Sequence, residues 1–368
     1  MKINMYLYYI PIIILLTSYL FKFKSVDLTY KKNHLVNLDT LIYGACLFFI
    51  YIITAFKGNI DPDYLNYKYY FDIIPKITEL NEFTLLKVKE STSNVEISLI
   101  YLFSLFKFLH IDFQFFYITI LLIIVFLINK LSYYFPNKSL FLLVIYCFYF
   151  QGLFIFVRYQ IGALCALLII FNYSKKNKVT ISSIFYFIFG ISFHSVTIFC
   201  IPALLLFKLR KKILNIYLIL LIVPIFMSQF DLTLLLNIAT LINPRYINYL
   251  DNYHVVGSIS SLLIREVLIF FLLFLAYLDK QKITETIKDN ILTMQLLLLL
   301  LLLFIWSVAW RVGILYRIAL LYDIAWIFFF SLILKNNLLN NIKNFTLILY
   351  LLLRLQTGIS ELSTYSFY

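Results

Sequence analysis

A few ionisable side chains stand in or beside apolar stretches where a merely structural segment has little use for them. They are Asp61, Asp63, Glu96, Arg158, His194, Arg245, Arg265, Glu266, Arg311 and Arg317. A charge at a bilayer centre costs roughly 2.5–3.5 kcal/mol on insertion scales, so such groups are rare without a partner or a role. Arginine stays charged in apolar surroundings and grips phosphate oxygens with a two-pronged fork. A carboxylate or imidazole within reach of a hydroxyl can take its proton. The set suits a substrate that presents a pyrophosphate together with a sugar hydroxyl to be activated.

Each of these residues also has a plainer reading. Arg158, in Phe156-Val157-Arg158-Tyr159-Gln160, can snorkel to lipid phosphates. His194 can satisfy a backbone carbonyl at a helix break. Arg311 and Arg317 lie roughly 120° apart around a helix and can pair with Asp323, and Arg265-Glu266 can pair with each other. Asp61-Pro62-Asp63 places two carboxylates around a proline that restricts the backbone, although Asp-Pro also suits an ordinary turn. The aromatic run from Tyr64 to Phe71 suits an interfacial helix or stacking on sugar rings.

The elements that must position these groups follow from composition. Of 368 residues, 63% are hydrophobic and 13% charged, with a mean hydropathy of +0.92. Soluble domains hold roughly 45–50% apolar and about 25% charged residues. Apolar blocks near the ~17–25 residues of a bilayer span recur to the C-terminus, which excludes a secretory signal leading a soluble domain. The pattern predicts spans at 4–21, 40–56, 112–130, 139–151, 155–173, 179–191, 195–207, 213–230, 256–278, 291–309, 313–334 and 342–357. The pairs 139–151/155–173 and 179–191/195–207 can each be read instead as one broken helix. The expected fold is an all-α polytopic membrane protein of about 12 transmembrane helices, a single transmembrane domain over residues 1–368.

The net charge of +13 sits in small basic clusters between apolar blocks, as the positive-inside rule produces, and not in a nucleic-acid-binding patch. With residue 1 outside, more than half of the 31 basic residues fall on one side, among them Lys130, Lys138, Lys175, Lys176, Lys178, Lys208, Lys211 and Lys212. That side is expected to be the cytoplasm. The outer side then receives two large loops, 57–111 and 231–255, and all the unusual ionisable groups. Counting Val95–Leu109 as a span would reverse every later loop, so it reads as a helix at the outer interface. The four cysteines are scattered singly in apolar blocks without ligand spacing, which predicts packing and not metal or disulfide chemistry. No DxD-type motif stands on the expected cytoplasmic side, and no nucleotide-binding glycine loop is present.

The order of these segments resembles the EpsG/Wzy family of polysaccharide polymerases, over about residues 40–330. Asp63-Tyr64-Leu65-Asn66-Tyr67-Lys68-Tyr69-Tyr70-Phe71 resembles that family's D-x-x-x-Y-x-x-x-F segment in the first large outer loop. Glu96 resembles the acid that opens the next amphipathic stretch. Val157-Arg158-Tyr159-Gln160-Ile161-Gly162-Ala163 resembles its arginine helix, with Gln160 one place beyond the usual Arg-Gln pair. Phe193-His194-Ser195-Val196-Thr197 resembles the F-H-x-S/T segment. Arg245-Tyr246-Ile247-Asn248-Tyr249 is similar to the basic-aromatic motif of the second outer loop, and Arg311-Val312-Gly313-Ile314-Leu315-Tyr316-Arg317 to a late Arg-x-x-x-x-[YF] helix start.

The resemblance implies a GT-C-like fold in a bacterial cytoplasmic membrane, with outer-loop helices covering a cavity that faces the periplasm or outside. It implies an inverting glycosyltransferase that joins undecaprenyl-pyrophosphate-linked repeat units into O-antigen or another surface polysaccharide, as in lipopolysaccharide biosynthesis. Asp63, Asp61, His194 and Arg158 are the expected catalytic residues. Arg311, Arg317, Arg245, Glu96 and Tyr67 are the expected substrate-binding residues, with no cofactor and no resident metal. The expected partners are the lipid-linked oligosaccharide, membrane lipids and a chain-length regulator protein, and no nucleic acid. A glycan ligase or single-sugar transferase with the same donor remains an alternative, as does a flippase. A flippase would spread its polar groups over both sides of the midplane.

Overall fold

The computed structural model describes residues 5–20, 38–56, 62–91, 96–154, 156–210, 289–309, 313–331 and 337–365, with isolated positions between 267 and 275. The helices among them are α1 (Ile10–Leu20), α2 (Leu38–Ala55), α3 (Pro62–Ile73), α4 (Glu82–Ser91), α5 (Ile97–Phe108), α6 (Phe113–Ser132), α7 (Lys138–Phe148), α8 (Phe150–Phe154), α9 (Val157–Lys176), α10 (Ile181–Phe193) and α11 (Cys200–Lys208). They continue with α12 (Asn290–Ala309), α13 (Gly313–Tyr322), α14 (Ile327–Ser331) and α15 (Asn337–Tyr365). The described residues contain no strand. The spans expected over 213–230 and most of 256–278 lie outside the described residues.

Polar side chains at the block edges start and stop these helices. Asp112 accepts from Phe115 N–H at 2.9 Å and so caps α6. Asn137 caps α7 through Leu140 N–H at 2.7 Å, and Asp289 caps α12 through Ile291 N–H at 2.7 Å. Each satisfies a donor that the first helical turn leaves open. His110 (φ 56°) and Asn177 (φ 54°) turn left-handed just past α5 and α9. Behind His110, Ile111 N–H reaches back to Phe106 O at 2.9 Å, the six-to-one bond that closes a helix C-terminus.

Three of the described helices, α2, α6 and α9, are long and apolar enough to cross a membrane. Shorter apolar helices occupy most of the other predicted spans. The region read as 139–151/155–173 is broken: α7 ends at Phe148, α8 is one short turn, and α9 begins at Val157. Likewise 195–207 opens with a 3-10 turn (Ser195–Phe199), and 313–334 contains another (Asp323–Trp326) between α13 and α14.

The chain divides into two compact units. In the first, α1 packs on α2 and α7, and α2 packs on α6 and α7. In the second, α12 packs against α11 and α13, and Tyr322 OH donates to Phe199 O at 2.5 Å. Within the first unit, successive long helices alternate in direction. Gln114, in the first turn of α6, donates to Ala55 O at the end of α2 at 2.8 Å. At the opposite ends of the same two helices Tyr43 OH donates to Asn129 Oδ1 at 3.4 Å. Asp39 at the start of α2 accepts from Lys138 N–H (3.0 Å) and Ser139 N–H (3.2 Å), so the α2 and α7 N-termini share an end.

Residues 56–112 therefore leave and rejoin the helix layer at the same end, and α5 is not a single crossing between α2 and α6. Its 12 residues span about 18 Å at 1.5 Å per residue, short of the ~30 Å hydrocarbon core. Along α10, Ile181, Ile184, Phe185 and Ile188 are exposed, an outward apolar stripe suited to lipid.

Candidate active site

The connection 56–112 is built onto one end of the first unit. Tyr64, Tyr67 and Phe71 recur at three- and four-residue intervals along α3 and are all buried, as one helix face requires. Phe71 meets Phe103 of α5 edge-on at 5.6 Å, and Tyr64 meets Phe113 and Tyr117 of α6 at 5.1 and 5.0 Å. Tyr64 OH also donates to Gln114 Oε1 at 2.8 Å. Gln114 thus ties α2, α3 and α6 together at the point where the chain leaves the helix layer. Lys107 donates to Asp72 O (2.8 Å) and Ile74 O (2.6 Å), fastening the end of α5 to the end of α3. Burial pulls the Lys107 ammonium below the usual lysine range, while Asp72 and Glu79 act in the opposite direction.

This layer delivers three predicted residues to one point. Arg158, in the first turn of α9, forms an ion pair through Nη1 with the Glu96 carboxylate. Its Nε donates to Tyr67 OH at 3.0 Å, and its guanidinium lies 5.3 Å from the Tyr67 ring centroid. Glu96 occupies the residue before α5 without capping it, because its carboxylate is turned to the arginine. About a quarter of each charged side chain is exposed (25% and 28%). Arg158 is therefore held by protein groups and is not simply reaching into lipid.

His194 follows α10 at the same end. Its ring lies edge-on to Tyr159 at 5.5 Å, and the preceding Phe193 shares a small recess with Tyr67, Leu99, Tyr117, Ile120 and Arg158. That recess is partly open and has a usable volume of about 10 Å³, roughly the room of a single water. Ser98 of α5 donates to Ser192 O, which docks the loop layer on the end of α10. Two glycines permit the close approach of α9 and α10. A Cβ on Gly162 would sit 3.0 Å from His194 Cβ, and one on Gly190 would sit 2.6 Å from Cys165 Cβ.

Asp63 stands in the first turn of α3, one helical turn before Tyr67 on the same face by register; its side chain is not among those described. Arg317 lies within α13, again with its side chain outside the described set. Asp61, Arg245 and Arg311 lie outside the described residues. The structure thus brings together Tyr67, Glu96, Arg158 and the His194 turn. Gln114, Ser98 and Lys107, which hold that arrangement, carry no motif. The one sign of Gln114 in the sequence is an amide in the first turn of an otherwise apolar helix.

Electrostatically the centre is an arginine at a helix N-terminus, where backbone N–H groups add positive potential, with a glutamate as resident counter-ion. An incoming phosphate would meet a site already arranged for oxygen anions and would compete with Glu96 for the fork. Among the described residues, no three His, Cys, Asp or Glu side chains gather as a metal ion would require. The four cysteines are buried and free of disulfides.

Comparison with curated proteins and with solved structures finds no match. The model of the EpsG family matches residues 40–366, which takes in all but the first two residues of α2, every helix from α3 to α15, and every residue of the candidate site. The chain belongs to the EpsG family, and is a helical membrane protein of polysaccharide-polymerase type.

Proposed function

We propose that this protein polymerises lipid-pyrophosphate-linked oligosaccharide repeat units into a surface polysaccharide at the outer face of the cytoplasmic membrane. In this reading the fold is GT-C-like, with about twelve transmembrane helices, and α3 to α5 lie over its outer end. The donor is a growing chain on undecaprenyl pyrophosphate, and the acceptor is a hydroxyl of the next lipid-linked unit. Arg158, with Arg311 and Arg317, holds the pyrophosphate, and Arg245 assists from the second outer loop. A carboxylate of the first outer loop, Asp63 or Asp61, takes the acceptor proton. Stabilising charge on the leaving pyrophosphate is the largest expected contribution.

The observation that carries this reading is the convergence of Tyr67, Glu96 and Arg158 from three separate elements. It lies at the end of the first unit opposite Lys130 and Lys138, which by the positive-inside rule belong to the cytoplasm. Deletion of the gene, read as surface polysaccharide on a gel, tests it. Loss of the long ladder with retention of a single capped unit supports polymerisation. Complete loss of glycan favours a flippase, and an unchanged ladder refutes the reading.

A further inference from the structure

Arg158 is asked to hold a pyrophosphate, yet in the structure a pyrophosphate cannot reach it. Only about a quarter of its side chain is exposed (25%), and the Glu96 carboxylate occupies its fork. The recess beside it offers about 10 Å³, the room of one water, and a pyrophosphate is several times larger. Some element over the recess must give way. Glu96, which pairs with Arg158, and Leu99, which lines the recess with it, both stand at the start of α5.

The two ends of α5 are held differently. At its C-terminal end Lys107 donates to Asp72 O and Ile74 O, and Phe103 and Phe106 meet Phe116 of α6 at 4.6 and 5.1 Å. Moving this end would break two hydrogen bonds and unpack three rings. The N-terminal end is fastened by the Glu96–Arg158 ion pair and by the bond from Ser98 Oγ to Ser192 O at the end of α10. No side chain caps its first turn. An incoming phosphate can replace the carboxylate in the ion pair. A hydroxyl–carbonyl bond adds little net stability, since both groups can bond water once parted. Leu99 and Ile100 are buried there as well, so the closed position is the resting one.

The outward face of α5, formed by Ile97, Tyr101, Leu105 and Phe108, is exposed, so no described residue blocks its movement away from α10. Ile191, next to Ser192, is exposed too, at the head of the apolar stripe of α10. A parted seam would therefore open onto the face suited to lipid. We propose that α5 is a lateral gate: its N-terminal end parts from α10, pivoting near Lys107, to admit the pyrophosphate of the lipid-linked donor from the bilayer to Arg158. This deepens the polymerase reading and rests on it. The phosphate takes over the Arg158 fork, which releases Glu96 and with it the second fastening of the gate.

The plain alternative is that the seam is a fixed packing contact. Locking it separates the two. S98C/S192C places thiols on both sides of the seam, where a short bifunctional thiol reagent joins them and a reductant releases them. The full chain is expressed in a strain lacking the gene, and mass spectrometry measures the joined fraction. The ladder made after joining is compared with that made after release. The single variants S98C and S192C, with the same four buried native cysteines, control for other pairings. The expected result is loss of newly made long chains on joining and their return on release, in the pair alone. A joined pair that keeps making the ladder overturns the gate even where the deletion confirms polymerisation. A pair that the reagent cannot join overturns it too, because α5 and α10 would then not meet at these serines.

A second measurement needs no activity, and so decides also for a pair that is inactive when released. The purified full chain carrying S98C/S192C is placed in vesicles with and without undecaprenyl pyrophosphate, and the rate of joining is followed. The expected result is slower joining with the pyrophosphate lipid, and no difference once R158A is added. An equal or faster rate with the lipid overturns the gate. An unchanged ladder in the deletion strain, beside slowed joining in the vesicles, overturns the polymerase reading and leaves the gate standing.

Discussion

If Glu96 serves chiefly to hold Arg158, the two residues must be energetically coupled, and a double-mutant cycle measures that coupling. Unit charges 4 Å apart attract by about 4 kcal/mol at an effective dielectric constant of about 20. Both side chains are roughly three-quarters buried, so screening is partial, and the desolvation of each charge offsets much of the attraction. The net coupling is then on the order of 1–2 kcal/mol, within the range found for contacting charged pairs. E96A should destabilise the protein by about that amount, because it leaves a largely buried guanidinium without its carboxylate counter-ion. The E96A/R158A double variant should be little less stable than R158A alone. Thermal unfolding in detergent micelles, followed by a tryptophan or circular-dichroism signal, provides the four corners of the cycle. Additive single effects would refute the coupling. E96Q adds a functional arm, since its amide oxygen can still accept from Arg158 while carrying no charge. Anchoring predicts that E96Q keeps most of the ladder. A loss on the order of 10²–10⁴, the size that a missing general base produces, would make Glu96 the proton acceptor instead.

Other substitutions test neighbouring parts of the arrangement. R158K should abolish the ladder at normal protein level, because an ammonium cannot reproduce a fork that contacts Glu96 and Tyr67 at once; full activity would mean that a point charge suffices. G190A should cost about 1–3 kcal/mol by overpacking, since the added Cβ would lie 2.6 Å from Cys165 Cβ and 2.7 Å from Thr197 Oγ1; an unchanged melting temperature would contradict the close approach of α9 and α10. D39A should lower stability by about 0.5–2 kcal/mol in thermal unfolding, the usual worth of a helix cap, because the Asp39 carboxylate accepts from Lys138 N–H and Ser139 N–H. Q160L should leave stability equal or raised in a melting experiment. The Gln160 amide is fully buried and neither of its polar atoms has a hydrogen-bond partner among the described residues, and an unsatisfied buried amide is a cost.

The one-end assembly was partly legible in the chain. Charge bias alone argued that Val95–Leu109 is not a span, whereas the Gln114–Ala55 bond shows that the end of α2 and the start of α6 meet. The spacing of Asp63, Tyr67 and Phe71 was visible as a motif, but the burial of Tyr64, Tyr67 and Phe71 on one face of a twelve-residue helix required α3 to be seen against α5 and α6. Helix interruptions at Tyr149 and at Ser195–Phe199 were harder to read. Apolar side chains favour burial on either side of a break, and hydropathy carries no record of where backbone bonding changes.

By itself the sequence determined that this is a helical membrane protein, which way its charge bias runs, and which ionisable residues are out of place. These are properties of composition and of order along the chain, and the bilayer acts on them one segment at a time. Only the tertiary structure decided that Arg158 is paired with Glu96 and braced by Tyr67 across separations of 62 and 91 residues. It alone decided that Val196 N–H occupies one nitrogen of His194. Such pairings depend on packing and on short-range bond direction. A pattern of residue types along one chain does not encode either until the helices are laid side by side.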